Sequence, residues 1–298
     1  MTCLIHCDLD QTYLMSSFES LSGLIKTVRE SADDKKAFPL APEVMSLVSF
    51  KPLNRLFFLS ASPKQLAPVL NKKLRSDDIS YQKLILKDGY QRVKQGGFRE
   101  IFNQIAYKLS HLFSSRLKEE LITSEVLIGD DTEADPIIYL IYWGVVTGRI
   151  DMTRLEQILK ICGLKLRSYQ EVLVCAERIQ IQDRDFPIHI FIHLTRKGPQ
   201  SPFLLFPSLL KVTSGWDQMA ILFTELELLT LEELEQILDG YTDFQKSALI
   251  ESLHQFSPLK QSFVTDLTKR WGLSLRLKAY HRDEARSFEQ LILAWRDQ

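Results

Sequence analysis

Cysteine is scarce in this chain. Cys3, Cys7, Cys162 and Cys175 are too few and too scattered for a disulfide framework, and the first pair falls in an apparent buried strand. Reduced, buried thiols are expected there rather than a metal site. Glycine and proline are also sparse, 12 and 11 of 298 residues, which excludes collagen-like and low-complexity classes. Neither sign of charge is in excess. A formal net charge of -1 gives no global field to collect nucleic acid or an anionic membrane, so no nucleic-acid partner is expected. No run approaches the ~20 apolar residues that a spanning helix requires, and the amino end has no basic segment followed by a long apolar run. The chain is therefore expected to be cytoplasmic, with no transmembrane segment. What remains is 45% hydrophobic and 25% charged, the profile of a globular protein large enough for one big domain or two ordinary ones. Its oligomeric state is left open by the sequence.

The first half alternates short apolar runs with helical patterns, the rhythm of parallel strands joined by crossover helices. Candidate strands are Thr2 to Cys7, Arg55 to Leu59, Gln82 to Lys87 and Glu125 to Ile128. Polar or glycine-containing breaks follow each of them: Asp8 onward, Ser60 to Pro63, Asp88-Gly89, and Gly129 to Asp135. In open parallel sheets the ligand crevice lies outside the carboxyl ends of the strands, where these breaks converge. Past Gly148 a helical stretch from Asp151 to about Cys162 is expected, then a strand-like run from Ile188 to Leu194 that would be a fifth strand. Lys197 to Pro207 reads as a hinge or boundary, and everything after it as helical. Thr230 with Glu233, Thr242 with Gln245 and Ser287 with Gln290 have the spacing of capping boxes.

The strongest chemical signal is Leu4-Ile5-His6-Cys7-Asp8-Leu9-Asp10-Gln11-Thr12, two carboxylates at i, i+2 directly after a buried strand. Where the strand ends and curls, the first carboxylate and the backbone carbonyl of the second can face one cation, while the second carboxylate points toward a leaving group. Magnesium would neutralise phosphate charge and align attack, and attack by Asp8 would give an acyl phosphate that water can cleave. Asp10 would protonate the leaving oxygen and later take a proton from that water. A bare pair of this kind in a loop more often means solvation or a turn.

Other features fall at later strand ends. The Ser60 hydroxyl and the backbone N–H of Ala61 could bind a phosphoryl oxygen, although Pro63 also suits an ordinary turn serine. Asp130, Asp131 and Asp135 supply oxygen ligands for a hard cation, or else an acidic cap for a helix starting near Pro136. A lysine is needed to balance this charge. Lys108, on a helical segment, is the candidate, with Lys87 its rival.

In order, these residues resemble the four-motif signature of haloacid dehalogenase-type phosphatases. A closer likeness lies in Ala37-Phe38-Pro39, Phe57-Phe58-Leu59-Ser60-Ala61-Ser62-Pro63, Leu86-Lys87-Asp88-Gly89, Tyr107-Lys108 and Val126 to Asp131 with Asp135 to Tyr139. These blocks resemble the actin-patch-type phosphatidate phosphatase catalytic domain over residues 1 to about 148. The resemblance implies an α/β, Rossmann-like three-layer core with a mainly parallel sheet, and Mg²⁺ as cofactor. It implies Asp8 as nucleophile and metal ligand, Asp10 as acid and base, Ser60 and Lys108 as phosphate binders beside Thr12 and Ala61, and Asp130 as a further ligand. Phosphatidate is the implied substrate. A soluble small phosphomonoester, or a non-catalytic interaction protein retaining the fold, is the alternative. The chain departs from the family at Gln11, usually Asp, at Lys64, usually aromatic, and at Asp131, usually Ser.

The expected division is a catalytic core at 1–198, with 150–185 a helical insertion, and a helical carboxy-terminal region at 199–298. The gaps between Asp10, Ser60 and Lys108 are too short for a large cap, so the site is either open to a bulky substrate or, as is expected here, covered by that last region. His189 and His193, four residues apart in an extended run, would lie roughly 13 Å apart, too far for one metal ion. The basic cluster Lys269-Arg270-Trp271 with Arg276 and Lys278 is too small to imply nucleic acid.

Overall fold

The computed structural model describes residues 2–15, 35–87, 98–119, 121–182, 186–195, 209–275 and 277. Strands β1 (Cys3–Cys7), β2 (Asn54–Pro63), β3 (Lys83–Lys87), β4 (Ser124–Asp130), β5 (Ile188–His193) and β6 (Leu210–Thr213) form one sheet in the order 3-2-1-4-5-6. Every neighbouring pair is parallel. This is the Rossmann-like α/β core that the sequence led us to expect.

Helix α1 (Ala41–Ser49) joins β1 to β2, and a 3₁₀ turn (Lys64–Leu66) with α2 (Ala67–Ser76) joins β2 to β3. Helix α3 (Phe98–Lys118) precedes β4. Between β4 and β5 run α4 (Asp135–Val146), α5 (Met152–Ile161) and α6 (Leu166–Gln182). After β6 come α7 (Trp216–Glu225), α8 (Leu231–Ile237), α9 (Asp243–Phe256) and α10 (Gln261–Trp271).

Because successive strand residues point to opposite faces, the apolar strand runs feed two cores. Leu4, Phe57, Leu59, Leu127, Ile190 and Ile192 pack on one side with α3 to α6. Ile5, Cys7, Phe58, Val126, Ile128 and Phe191 pack on the other with α1, α2 and α7 to α10. The helices after β6 therefore complete the third layer. Each side carries a continuous apolar core, which is why the strands lack the polar alternation of a half-solvated sheet.

One expectation is corrected. Residues after 207 are not helical throughout, since Leu210-Lys-Val-Thr213 pairs with β5. Four residues are too short a run to show a period, and the pairing that fixes them is non-local. The sheet thus continues across the expected division at 198/199. The boundary Lys197 to Pro207 lies outside the described residues, as do Asp88-Gly89, Ser287 with Gln290, Arg276 and Lys278.

Local rules hold elsewhere. Thr230 and Glu233 form a reciprocal capping box at α8, and Thr242 and Gln245 form another at α9. Asp151 caps α5 by accepting from the Arg154 N–H at 2.8 Å. All four cysteines are free and buried. Arg270 in the basic cluster is taken up by Glu232 and Glu235. Among the described residues no helix is long and apolar enough to cross a membrane.

Candidate active site

The strand order reverses direction between β1 and β4, and such a switch point opens a crevice beyond the strand carboxyl ends. The loop after β1 and the end of β4 meet there. The ladder extends one step past β1, the Asp8 N–H donating to the Ile128 carbonyl at 2.9 Å. Since Leu4, His6 and Asp8 alternate onto one face, the Asp8 carboxylate points to the α3 side. There it meets Lys108.

Lys108 is wholly buried on the same helical stripe as Ile105 and Leu112. Its Nζ lies 2.8 Å from Asp8 Oδ1, 2.5 Å from Asp135 Oδ1 and 3.4 Å from Glu133 Oε2. Asp135 opens α4, where an acid in the first turn is favoured. Gly129 lets it come so close: a Cβ there would stand 2.5 Å from Asp135 Oδ2 and 2.8 Å from a ring carbon of Tyr139. Asp130 folds the next turn onto itself, accepting from the Thr132 and Glu133 N–H groups at 2.6 and 3.2 Å. Thr12, buried, bridges Asp8 and Asp130 at 3.5 and 3.4 Å.

Asp10 turns the other way, toward β2. Its Oδ2 accepts from Ser60 Oγ at 3.0 Å and Ser62 Oγ at 2.7 Å. The two serines share a strand face, and a bulge between Ser60 and Pro63 bends them over the loop. Ala61, between them, is half-buried.

Of the residues singled out in the sequence, Asp8, Thr12, Lys108, Asp130 and Asp135 come together, and Asp10 joins Ser60. Asp131 does not join them, because its Oδ1 accepts from the N–H and hydroxyl of Thr195 at 2.8 and 3.1 Å. Lys87 ends β3, at the sheet edge. Two participants were not foreseen. Ser62 repeats the Ser60 position two residues on, a signal present in the sequence. Glu133 lay hidden in an acidic run where spacing alone does not say which carboxylates turn inward.

The charge balance is unequal. Burial pushes the Asp8 carboxyl well above the usual range, against the opposing charge of Lys108. Asp130 is pushed up to about 7 by burial and by Asp135, and Glu133 to about 8 by burial, again opposed by Lys108. Asp135 is raised for the same reason. Burial also works against the Lys108 charge, but Asp135, Asp8 and Glu133 outweigh it and hold the ammonium charged. Four buried carboxyl groups face one ammonium, more acid than that charge balances once all are ionised. Ligand oxygens of Asp8, Glu133 and Asp135 lie within 4.8 Å of one another. An all-oxygen, anionic donor set of this kind fits a hard divalent cation.

Residues 3–153 match the family described as phosphatidate phosphatase APP1, catalytic domain. The chain belongs to this family. Membership makes it a phosphatase, and the matched stretch carries Asp8, Asp10, Thr12, Ser60, Lys108 and the acidic turn before α4. No curated protein and no solved structure matches the chain. Beyond the phosphatidate phosphatase match lie β5, β6 and α7, which nevertheless reach the loop after β1. His193 Nδ1 is 3.3 Å from the Gln11 carbonyl, and Trp216 Nε1 donates to the Thr12 carbonyl at 3.1 Å. Gln11 itself has a positive φ of 57°, the sharp turn that throws Asp10 and Thr12 to opposite sides.

Proposed function

We propose that the chain is a Mg²⁺-dependent phosphomonoesterase of the haloacid dehalogenase type, carrying the phosphoryl group on Asp8, with phosphatidate as its substrate class. The observation that supports this best is the division of labour between two carboxylates two residues apart. Asp8 is buried against Lys108, whereas Asp10 is half-buried and held by two serine hydroxyls.

Asp8 attacks phosphorus through a carboxylate oxygen. The bond to the ester oxygen breaks, and that oxygen takes a proton from Asp10, leaving as the alcohol. Asp10, now ionised, removes a proton from a water that attacks the phosphorus of the acyl phosphate, which frees inorganic phosphate and restores both carboxyls. Lys108 fixes the Asp8 carboxylate in line and places positive charge where charge builds on the transferring group. Ser60 and Ser62 aim Asp10 at the leaving oxygen. Asp8, Glu133 and Asp135 would hold the cation with Asp130 beside them, and bound Mg²⁺ would neutralise phosphate charge at the site.

The test uses purified protein with Mg²⁺ and a panel containing phosphatidate and p-nitrophenyl phosphate, with rapid acid quench of a ³²P-labelled ester. We expect a hydroxylamine-labile label on the wild type and none on Asp8→Asn, with turnover falling at least about a thousandfold. Full turnover by Asp8→Asn would overturn the mechanism. Turnover of p-nitrophenyl phosphate but not phosphatidate would limit the reading to soluble esters.

A further inference from the structure

Strand β5 is separated from β1 by β4, yet its last residue reaches the loop that carries Asp10. Adjacent strands lie about 4.8 Å apart, so the gap to be crossed is roughly 10 Å. His193 crosses it. It pairs in register with Asp130 of β4, and its ring extends past that strand to bring Nδ1 within 3.3 Å of the Gln11 carbonyl.

The imidazole is held in this pose. It is buried, and the Phe38 ring meets it edge-on with centroids 4.4 Å apart. Its backbone is anchored two residues on, where Thr195 donates its N–H and hydroxyl to Asp131. Burial lowers the His193 pKa, which leaves the ring neutral at pH 7 with one N–H. A carbonyl only accepts, so that proton sits on Nδ1.

What the contact holds is strained backbone. Gln11 has a φ of 57°, a left-handed conformation that a residue with a side chain keeps only where its surroundings fix it. Its N–H donates to the Leu14 carbonyl at 2.9 Å and its own carbonyl faces His193, so the turn is tied at both ends. Before the turn Asp10 faces Ser60 and Ser62, and after it Thr12 reaches Asp8 and Asp130. Relaxing Gln11 toward ordinary backbone would swing Asp10 off the serines.

We infer that His193 is a positioning residue for Asp10: by donating to the Gln11 carbonyl it fixes the turn that aims the general acid at the leaving oxygen. This rests on the phosphomonoesterase reading above. His193 lies beyond the 3–153 family match, so the aim of the acid depends on a strand outside that match.

Two measurements on the full chain test it. The first is kcat/KM with Mg²⁺ for 2-phenylethyl phosphate, whose alcohol must be protonated as it leaves, and for p-nitrophenyl phosphate, whose stabilised anion leaves without a proton. In His193→Leu and His193→Gln we expect a loss of about tenfold or more on the first ester and less than about twofold on the second. His193→Asn, whose amide nitrogen is attached at the same distance along the side chain as Nδ1, should recover most of the loss. Equal losses on the two esters, or the same behaviour in Asn and Leu variants, overturn the inference. The second is hydrogen exchange at the amides of residues 9–14, which does not depend on turnover. We expect faster exchange in His193→Leu and His193→Gln than in the wild type and His193→Asn, and unchanged exchange in all three variants overturns the inference. Absence of wild-type turnover on every ester would count against the enzymatic reading, while the exchange comparison would still decide whether His193 holds the turn.

Discussion

The indole N–H of Trp216 donates to the Thr12 carbonyl at 3.1 Å, joining residues 204 positions apart. Both groups are buried, and the Tyr13 ring meets the indole edge-on with centroids 6.4 Å apart. The loop after β1 is thus held from a segment outside the matched family domain. Trp216→Phe keeps the aromatic packing but leaves the Thr12 carbonyl without this donor, a loss of about 1–3 kcal/mol. We expect lower stability in chemical denaturation and a fall in kcat larger than any change in KM, because the loop that aims Asp8 and Asp10 loosens. Unchanged kcat in a destabilised protein would show that the bond serves folding alone.

No sequence pattern announces that bond, whereas the DxDxT motif announces where its own side chains meet. The difference is physical. Asp8, Asp10 and Thr12 owe their placement to a strand end, a local event that the apolar run before them reveals. Lys108 was also legible, as a lysine on a helical segment upstream of an acidic turn whose charge needs balancing. Which acid of the Gly129 to Asp135 turn faces it was not, because that follows from Asp130 accepting N–H groups and from Asp131 being drawn to Thr195. The five longer strands were visible as apolar runs. Strand β6 was not, since its identity comes from pairing with β5 rather than from its own four residues.

Among the described residues, Lys108 is the cation that faces four buried acids. Lys108→Met keeps most of the volume and removes the charge, leaving Asp8, Glu133 and Asp135 unpaired. Breaking a buried ion pair from one side costs about 3–5 kcal/mol. We expect destabilisation of that size in the presence of a chelator, with much of it recovered when Mg²⁺ is added, since a ligand that binds only the folded state stabilises it. Phosphatase turnover should fall in both conditions. Denaturant titrations with and without Mg²⁺ measure this, and an equally stable variant under chelator would contradict the charge balance described above.

His189 gives the fold a pH dependence separate from the site. Burial lowers its pKa from 6.5 to about 4, with Lys211 and Lys260 adding to the shift and Glu225 opposing it. The unfolded chain takes up this proton first as pH falls. The stabilising contribution is therefore complete above about 6.5 and is lost progressively between there and 4. His189→Gln should flatten that part of the stability profile and leave it unchanged above pH 7. Chemical denaturation at several pH values would show this, and parallel profiles for the two proteins would rule out His189 as the source.

The carboxy-terminal region can be tested by removal. A cap that merely covered the site would leave a folded core when residues 199–298 were deleted. In this structure deletion takes away β6, which pairs with β5, and the four helices that bury Ile5, Cys7, Phe58, Val126, Ile128 and Phe191 together with α1 and α2. It also removes the donor to Thr12. One face of the parallel sheet would lose much of its cover, and such sheets are stable only when both faces are covered. We expect the 1–198 fragment to be insoluble, or to retain secondary structure while binding a hydrophobic dye and lacking near-ultraviolet circular dichroism. A soluble fragment with cooperative unfolding and phosphatase turnover would instead make the region a separable domain.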